Sequence, residues 1–305
     1  MTLIVALIAI FCFLALLPLM VNKETYSLNE VHRAEAPGQF IETQLGHIHY
    51  QLEGSPDAPL VVFVHGFSAP SYMWDNNRKV VANAGYRVLT FDLYGRGYSS
   101  RPNVKYDKQL FVDQIGQLTQ TLAPNKPFHI VGLSMGGAIT SAFVAKNPSN
   151  ILSVGYVAPF NQPVDIGPLT LPVIGKWLGY LLFIPKLPTN QANDLVQPEC
   201  FPYWADKFSE QMMYKGFRRA IISTGRHLIA KDPTDDFAEV GKLAIPKLLL
   251  WGKEDKVIPL SDAERVKELL GSNVELEVFE DAGHAMQYEC YDRINPKLLS
   301  HFERA

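Results

Sequence analysis

Short apolar runs recur along the chain from about residue 60, separated by segments long enough to form helices. The runs are Leu60 to Val64, Arg87 to Phe91, His129 to Leu133, Val154 to Val157, Lys247 to Trp251 and Val274 to Phe279. Helix-length segments lie between them at Tyr72 to Ala84, Lys108 to Leu122 and Met135 to Lys146. Continuous apolar strands that alternate with helices predict a parallel sheet covered on both faces. The chain is therefore predicted to be an α/β protein.

Two stretches depart from this alternation. Phe40 to Leu52 alternates apolar and polar residues around Gly46, as the two strands of a hairpin do. Between about residues 160 and 240, Pro, aromatic and aliphatic residues replace the pattern of strands and helices. A long interruption between two core strands predicts a helical cap over the carboxyl edge of the sheet. Such a cap is expected to determine substrate specificity.

The N-terminus carries the longest apolar run of the chain. No charged residue occurs from Thr2 to Asn22, and about 20 apolar residues are needed to span the hydrocarbon core of a bilayer. We therefore expect a transmembrane anchor over residues 1–22, a linker over 23–39 and a catalytic domain over 40–305. A cleaved signal peptide is the alternative, but no basic segment precedes the run and no small-residue cleavage site follows it.

Three residues near this run bear on how it would sit in a membrane. Pro18 is tolerable in a membrane helix because a neighbouring group can bind the carbonyl that proline leaves free. Lys23 and Arg33 follow the run, and basic residues favour the cytoplasmic side of a membrane. The expected arrangement is a single-pass N-terminal anchor with the catalytic domain on the cytoplasmic side.

Composition narrows the range of partners. With 305 residues, of which 47% are hydrophobic, the chain can build a large core without a metal or disulfides. A net charge of -3 without runs of like charge gives no basis for a nucleic-acid partner. Cys12, Cys200 and Cys290 are too scattered for a zinc site, and one bridge between Cys200 and Cys290 stays open. No metal or cofactor is expected, and nothing in the sequence specifies an oligomeric state.

The strongest chemical signal is Gly132-Leu-Ser-Met-Gly136. It fits G-x-S-x-G, directly after an apolar strand and directly before a helical segment. In that context the serine is raised on a strained turn, which makes Ser134 the candidate nucleophile. An oxyanion hole needs two preorganised N–H donors, one after the nucleophile and one from the loop after an earlier strand. The backbone amides of Met135 and Phe67 are the candidates, whereas His65 is expected to support the loop.

The order of residues along the chain selects the base and the acid. On this type of scaffold the acid and then the histidine follow the serine. His284 lies in a loop after the last predicted strand, and Asp255 lies on the loop after the strand that ends at Trp251. Asp255 would hold the imidazole in the correct tautomer and stay ionised. Glu254 and Asp281 are the rival carboxylates.

Five motifs resemble the α/β-hydrolase fold superfamily, in that family's order. They are the strand followed by His65 to Phe67, the D-x-x-G-R-G-x-S turn at Asp92 to Ser99, Gly132 to Gly137, Trp251 to Asp255, and Gly283 with His284. The resemblance covers about Phe40 to Phe302 and implies an eight-stranded, mostly parallel sheet with a helical cap. It also implies the triad and oxyanion roles given above. We interpret the Asp92 to Ser99 turn as structural, with Asp92 and Arg96 pinning the loop.

With its apolar N-terminus, the chain is most similar within that superfamily to membrane-bound monoacylglycerol lipases and carboxylesterases. That resemblance implies a small-molecule substrate, a monoacylglycerol or another lipid acyl ester, cleaved through an acyl-enzyme. Phe67 and the cap residues Trp177 and Phe183 are the predicted substrate-binding residues. Peptidases, amidases and C–C bond hydrolases of the same superfamily are the alternative. A non-enzymatic membrane scaffold is disfavoured because all three triad positions are intact.

Overall fold

The computed structural model describes residues 2–305, in which eight strands form one sheet. The strands are β1 (Gln39–Thr43), β2 (Gly46–Glu53), β3 (Leu60–Val64), β4 (Arg87–Phe91), β5 (Phe128–Leu133), β6 (Ile151–Val157), β7 (Lys247–Gly252) and β8 (Val274–Phe279). Their order across the sheet is β1-β2-β4-β3-β5-β6-β7-β8. The pairs β1–β2 and β2–β4 are antiparallel, and the other five pairs are parallel. The expected eight-stranded, mostly parallel sheet is confirmed.

Helices cover both faces of the sheet. The α-helices are α1 (Thr2–Met20), α2 (Glu30–Ala34), α3 (Asp75–Asn83), α4 (Lys108–Leu122), α5 (Met135–Lys146), α6 (Ile174–Leu178), α7 (Leu187–Asn190), α8 (Trp204–Glu210), α9 (Phe217–Thr224), α10 (Thr234–Gly241), α11 (Ala263–Leu270), α12 (Met286–Glu289) and α13 (Tyr291–Phe302). Val62 and Val64 of β3 pack with α4, α5, α10 and α11, whereas Val61 and Phe63 pack with α3, α12 and α13. This alternation explains why the central strands are apolar at every position.

The chain between β6 and β7 contains helices and no strand, within the part of the molecule that the structure describes. Helices α6 to α9, joined by short helical turns, form a cap above the carboxyl ends of the central strands. Helix α10, the last in the interval predicted for the cap, packs instead against α5 and α11. It therefore belongs to the layer that covers the sheet. Cys200 is exposed, Cys290 is buried, and both thiols are free.

Helix α1 stands apart from the two cores. Within residues 2–305 it is the one helix whose length and apolar composition would allow it to cross a membrane. Its side chains are exposed except for a few near its end, where Pro18 is buried. A helix in the core of a soluble domain would bury one face instead. The exposed apolar surface is what a bilayer would cover.

The segment predicted as a linker is held against the cap. The backbone N–H groups of Thr25 and Tyr26 donate to the Met213 carbonyl at 2.8 and 2.9 Å. The Tyr26 carbonyl in turn accepts from the Lys215 N–H at 2.8 Å. Asn29 caps the short helix α2 by accepting a hydrogen bond from the His32 N–H. The segment that follows α1 is therefore connected to the cap by main-chain hydrogen bonds in addition to the covalent chain.

Candidate active site

Ser134 lies on the tight turn between β5 and α5. Its backbone has φ 54° and ψ −122°, a left-handed φ that L-residues rarely adopt. The glycines on either side are required by close backbone contacts. A Cβ at Gly132 would lie 2.4 Å from the Gly136 carbonyl oxygen, and a Cβ at Gly136 would lie 2.4 Å from that of Val64. The G-x-S-x-G pattern thus reflects a strained strand-to-helix turn that only these small residues permit.

Asp255 and His284 come together at the ends of β7 and β8. One carboxylate oxygen of Asp255 accepts the backbone N–H groups of Val257 and Ile258, both at 2.8 Å. The other lies 2.8 Å from Nδ1 of His284. Both side chains are buried. Because Nδ1 donates to the carboxylate, Nε2 is left as the acceptor, which is the tautomer that a general base needs.

Ser134 and His284 line the same small cavity. Its volume is about 110 Å³, and its wall also includes Phe67 and Leu133. No hydrogen bond joins Ser134 to His284 within residues 2–305, which is common before substrate is bound. The three residues predicted as a triad therefore lie at one place. Their catalytic roles remain predictions.

The pKa of His284 reflects two opposing effects. Burial lowers the pKa, but the charge of Asp255 and its hydrogen bond raise it, and Asp194 adds to the increase. The net result is a pKa above the ordinary value of 6.5. The carboxylate of Asp255 thus stabilises the imidazolium that would form during proton transfer.

The two amides predicted for an oxyanion hole are available to a ligand. Within the described residues, neither the Phe67 N–H nor the Met135 N–H donates a hydrogen bond to the protein. Phe67 lines the cavity that contains Ser134, and Met135 begins helix α5. The first N–H groups of a helix have no partner inside the helix. Both donors are therefore free to bind developing negative charge.

His65 and Arg96 hold the loop that carries Phe67. The buried ring of His65 accepts the Leu93 N–H at Nε2, 2.9 Å away, and lies 2.9 Å from the Gly66 carbonyl through Nδ1. Burial lowers the pKa of His65 to about 4, so the ring is neutral and supports the loop, as expected from the sequence. Nε of Arg96 donates to the Phe67 carbonyl at 2.8 Å. The turn from Asp92 to Ser99, which the sequence indicates to be structural, thus positions the loop whose Phe67 N–H is a candidate oxyanion donor.

A larger apolar cavity adjoins this site. Its volume is about 380 Å³, and it shares Phe67 with the smaller cavity. Its apolar lining also comprises Val164, Ile166, Leu169, Phe183, Ile221, Ile222 and Ile229. Of the residues predicted to bind substrate, Phe67 and Phe183 are brought together here. Trp177 lies elsewhere, with its indole N–H donating to the Leu14 carbonyl of α1 at 2.8 Å.

Two polar residues of the cap reach the smaller cavity, and sequence patterns did not indicate them. Gln191 and Asp194 line it together with Ser134 and His284. Burial raises the pKa of the Asp194 carboxyl to about 6, an effect that His284 opposes and Asp255 reinforces. Neither residue belongs to a motif. Only the packing of the cap over the sheet brings them to this position.

Comparison with known proteins agrees with this geometry. A family model for the alpha/beta hydrolase fold matches residues 59–290. The chain belongs to the alpha/beta hydrolase fold family. The match extends from β3 through the Ser134 turn and the cap to the loop that holds His284.

Relatives within the alpha/beta hydrolase fold family differ in activity. The chain is 26% identical over 269 residues to a non-heme chloroperoxidase of Streptomyces lividans, covering 83% of this chain and 95% of that protein. It is 28% identical over 279 residues to the monoacylglycerol lipase abhd6-B of Xenopus laevis, covering 83% and 78%. A solved esterase from Thermogutta terrifontis superposes with a TM-score of 0.73 at 20% identity, over 88% and 99% of the two chains. At that identity the superposition supports the fold alone.

Proposed function

We propose that this protein is a serine hydrolase that cleaves carboxylic esters through an acyl-enzyme, with Ser134 as nucleophile, His284 as base and Asp255 as the orienting acid. The observation that carries this proposal is the cavity shared by Ser134 and His284. On the side of His284 that faces away from Ser134 in the proposed triad, Nδ1 of His284 donates a hydrogen bond to the Asp255 carboxylate. Membership of the family supports the same assignment, because the strained serine turn is the family's nucleophile position.

In the acylation step, Nε2 of His284 takes the proton of Ser134 as Oγ attacks the ester carbonyl carbon. The carbonyl electron pair moves to oxygen, and the N–H groups of Phe67 and Met135 bind the resulting oxyanion. The intermediate then collapses, and the C–O bond to the alcohol breaks as His284 returns its proton to the leaving oxygen. Water, deprotonated by the same imidazole, attacks the acyl-enzyme and releases the acid.

For the substrate we propose an ester of a medium or long acyl chain, such as a monoacylglycerol. The cavity of about 380 Å³ is lined largely by aliphatic and aromatic side chains and begins beside Phe67, next to the proposed nucleophile. Each methylene buried there would contribute about 0.8 kcal/mol. The similarity to a monoacylglycerol lipase points to the same substrate class.

We further propose that α1 is a single-pass membrane anchor and that residues 40–305 form the catalytic domain. Support comes from the exposed apolar surface of α1 and from the contacts of its last turns with the cap. Lys23 and Arg33, which follow the helix, favour the cytoplasmic side for that domain. The anchor would then hold the cap beside a reservoir of lipid esters.

The test uses the full-length protein in detergent, assayed with p-nitrophenyl octanoate and a fluorophosphonate probe. Ser134→Ala is expected to abolish labelling and to lower kcat by about 10⁴- to 10⁶-fold, because residual rate then comes only from the oxyanion donors and binding. Ser209→Ala, on the half-buried surface of the cap, is the matched control and should retain both. Near-normal hydrolysis by Ser134→Ala would disprove the assignment.

A further inference from the structure

The cap presents two hydrogen-bond acceptors to the cavity that contains Ser134. Gln191 is 7% exposed, and its Nε2 donates to the Ser68 hydroxyl at 3.3 Å while its Oε1 is buried without a partner. The Asp194 carboxylate accepts no hydrogen bond from any residue that the structure describes. A buried acceptor without a donor, such as Oε1 of Gln191, is costly and rare in proteins, whereas the Asp194 side chain is half-buried at the cavity wall. A ligand that donates hydrogen bonds would satisfy both.

The main chain holds this pair beside His284. The Asp194 carbonyl accepts the N–H of Ala285, the residue after His284, at 2.8 Å. Asp194 and His284 also line the same cavity of about 110 Å³, so the carboxylate lies close to the imidazole. During acyl transfer the leaving alcohol receives its proton from that imidazole and must lie next to it. Gln191 and Asp194 therefore flank the position of the alcohol, whereas the apolar cavity begins at Phe67.

We propose that Gln191 and Asp194 form a subsite for the leaving alcohol and that this subsite binds free hydroxyl groups. This rests on the proposed esterase function and makes the substrate class more specific: a monoacyl ester of a short polyol. An apolar alcohol would leave both acceptors unpaired. A cationic alcohol is disfavoured because its charge would lie beside the imidazolium of His284 as the proton is transferred.

The test compares three octanoate esters with full-length protein in detergent: the propyl, 2,3-dihydroxypropyl and 3-aminopropyl esters. The dihydroxypropyl ester should exceed the propyl ester in kcat/KM by at least about tenfold, since a hydrogen bond to a charged group is worth 1.5 kcal/mol or more. Asp194→Asn should lower that ratio about tenfold. Glu199→Gln, an exposed carboxylate of the same cap without a hydrogen bond among the described residues, is the matched control and should preserve the ratio.

Gln191→Met provides a second variant, which removes the neutral acceptor and keeps the length of the side chain. It should also lower the ratio, and labelling by the fluorophosphonate probe would show that each variant is folded. An equal loss on the propyl and dihydroxypropyl esters would mean that Asp194 acts only through His284 and would overturn the subsite. Preference for the aminopropyl ester would overturn it in favour of a cation site. Failure of the unaltered protein to hydrolyse any of the three esters would instead refute the esterase proposal and, with it, the subsite.

Discussion

At the scale of single residues, His284 shows how burial and charge compete in this site. Burial favours the neutral ring, and the neighbouring carboxylates favour the protonated one. The carboxylates prevail, so the pKa lies above 6.5. Because only the neutral imidazole can accept the Ser134 proton, kcat/KM is expected to rise with pH as His284 loses its proton.

Asp255→Asn tests this balance. Replacement removes the main cause that raises the pKa of His284 and leaves burial, which lowers it. The midpoint of the rising limb should therefore move to lower pH. The rate should fall by about 10⁴-fold, because the amide cannot hold the reactive tautomer or stabilise the imidazolium. The measurement is kcat/KM of p-nitrophenyl octanoate between pH 5 and 9.

The neighbouring Glu254→Gln is the control for that experiment. Glu254 is exposed and is the adjacent carboxylate that the sequence offers as an alternative candidate for the acid. Its side chain makes no hydrogen bond within residues 2–305. Its replacement should leave the pH midpoint and the rate almost unchanged. A larger loss from Glu254→Gln than from Asp255→Asn would contradict the assignment of the acid.

The sequence predicted the central residues of the site because their signals are local. Ser134 is identified by the glycines that its turn requires, and Asp255 and His284 follow strands that the apolar pattern reveals. Asp194 has no such signal. Its position depends on how the cap folds back over the sheet, a long-range contact that no spacing of residues encodes. Trp177 was placed with the substrate by composition alone, and the structure places it against α1.

At the scale of elements, the turn after β4 is joined to β2 and to the segment that follows β3. The Asp92 carboxylate accepts hydrogen bonds from the N–H and the hydroxyl of Ser71 at 2.8 and 2.6 Å and from the Tyr98 N–H at 2.8 Å. It also pairs with His49 of β2 at 2.7 Å. The second nitrogen of His49 contacts the Pro37 carbonyl. With an acceptor at each nitrogen, these contacts favour the charged form of His49 and raise its pKa above 6.5, although burial opposes them.

Asp92→Asn is expected to lower the free energy of unfolding by about 3–5 kcal/mol, because it leaves a buried imidazolium without its counter-ion. The pH dependence follows from the two pKa shifts. Burial opposes them, but His49 and Ser71 hold the pKa of Asp92 well below its usual range, and Asp92 raises that of His49. The contribution of Asp92 to the free energy of unfolding is present above about pH 3.9. It is lost as the pH falls through the pKa of Asp92 in the folded protein.

The contribution of His49 to the free energy of unfolding is also stabilising but has the opposite pH dependence. It is complete below the unfolded value of 6.5 and is lost as the pH rises through the higher folded pKa. The difference between the unaltered protein and Asp92→Asn in urea unfolding should therefore be largest between about pH 4 and 6.5. Asp113→Asn, an exposed carboxylate on α4, should change the free energy of unfolding by less than about 0.5 kcal/mol. An equal effect from both variants would contradict this role of the turn.

The cap determines the expected preference for acyl chains. Phe183 lines the apolar cavity, whereas the preceding residue, Leu182, is 57% exposed. Across p-nitrophenyl esters, kcat/KM should rise up to about fourfold per added methylene until the cavity is filled, which corresponds to about 0.8 kcal/mol. Phe183→Ala should reduce that slope, and Leu182→Ala should not. A preference for the acetyl ester would exclude a lipid substrate.

The sequence predicts the helices and strands that form and cover the sheet more accurately than it predicts the helices of the cap. Helices α4 and α5 begin and end at the predicted residues, and the bounds of the core strands differ by at most three residues. Amphipathic or apolar periodicity marks those elements because each packs against the sheet along its whole length. Helices such as α6 and α7 are only four or five residues long. They are shorter than the period over which such a pattern can be detected.

At the scale of the whole molecule, side chains of the cap donate hydrogen bonds to carbonyl groups near the end of α1. Pro18 has no N–H, so the carbonyl four residues earlier, that of Leu14, lacks its partner in the helix. The Trp177 indole donates to this carbonyl at 2.8 Å. Nη1 of Arg218 donates to the Pro18 carbonyl at 2.8 Å, and its guanidinium lies over the Tyr180 ring. The expectation that a neighbouring group would bind the carbonyl freed by Pro18 agrees with this contact.

The same contact indicates how the molecule would face a membrane. Val173 and Ile174 precede Trp177 by four and three positions, a spacing that places side chains on one side of a helix. They are 78% and 58% exposed. Since Trp177 contacts the proposed anchor, this apolar surface would lie beside the bilayer.

The Leu14 contact can be tested by a double-mutant cycle in detergent. Trp177→Phe keeps an aromatic ring but removes the N–H, which should cost about 0.5–1.5 kcal/mol in the free energy of unfolding because the Leu14 carbonyl loses its donor. In a Pro18→Ala background the new backbone N–H would bind that carbonyl within the helix. Trp177→Phe should then cost less, with a coupling of at least about 0.5 kcal/mol between the two positions.

Pro296→Ala is the matched control for that cycle, since Pro296 also lies inside a helix, α13, on the sheet and not in the cap. It should leave the cost of Trp177→Phe unchanged, because positions without shared partners contribute additively. The comparison separates the Leu14 hydrogen bond from a general effect of removing a helical proline. If Trp177→Phe cost the same in the Pro18→Ala background as in the unaltered chain, the indole would not be satisfying the carbonyl that Pro18 frees. The cap would then be held to α1 by other contacts, such as those of Arg218.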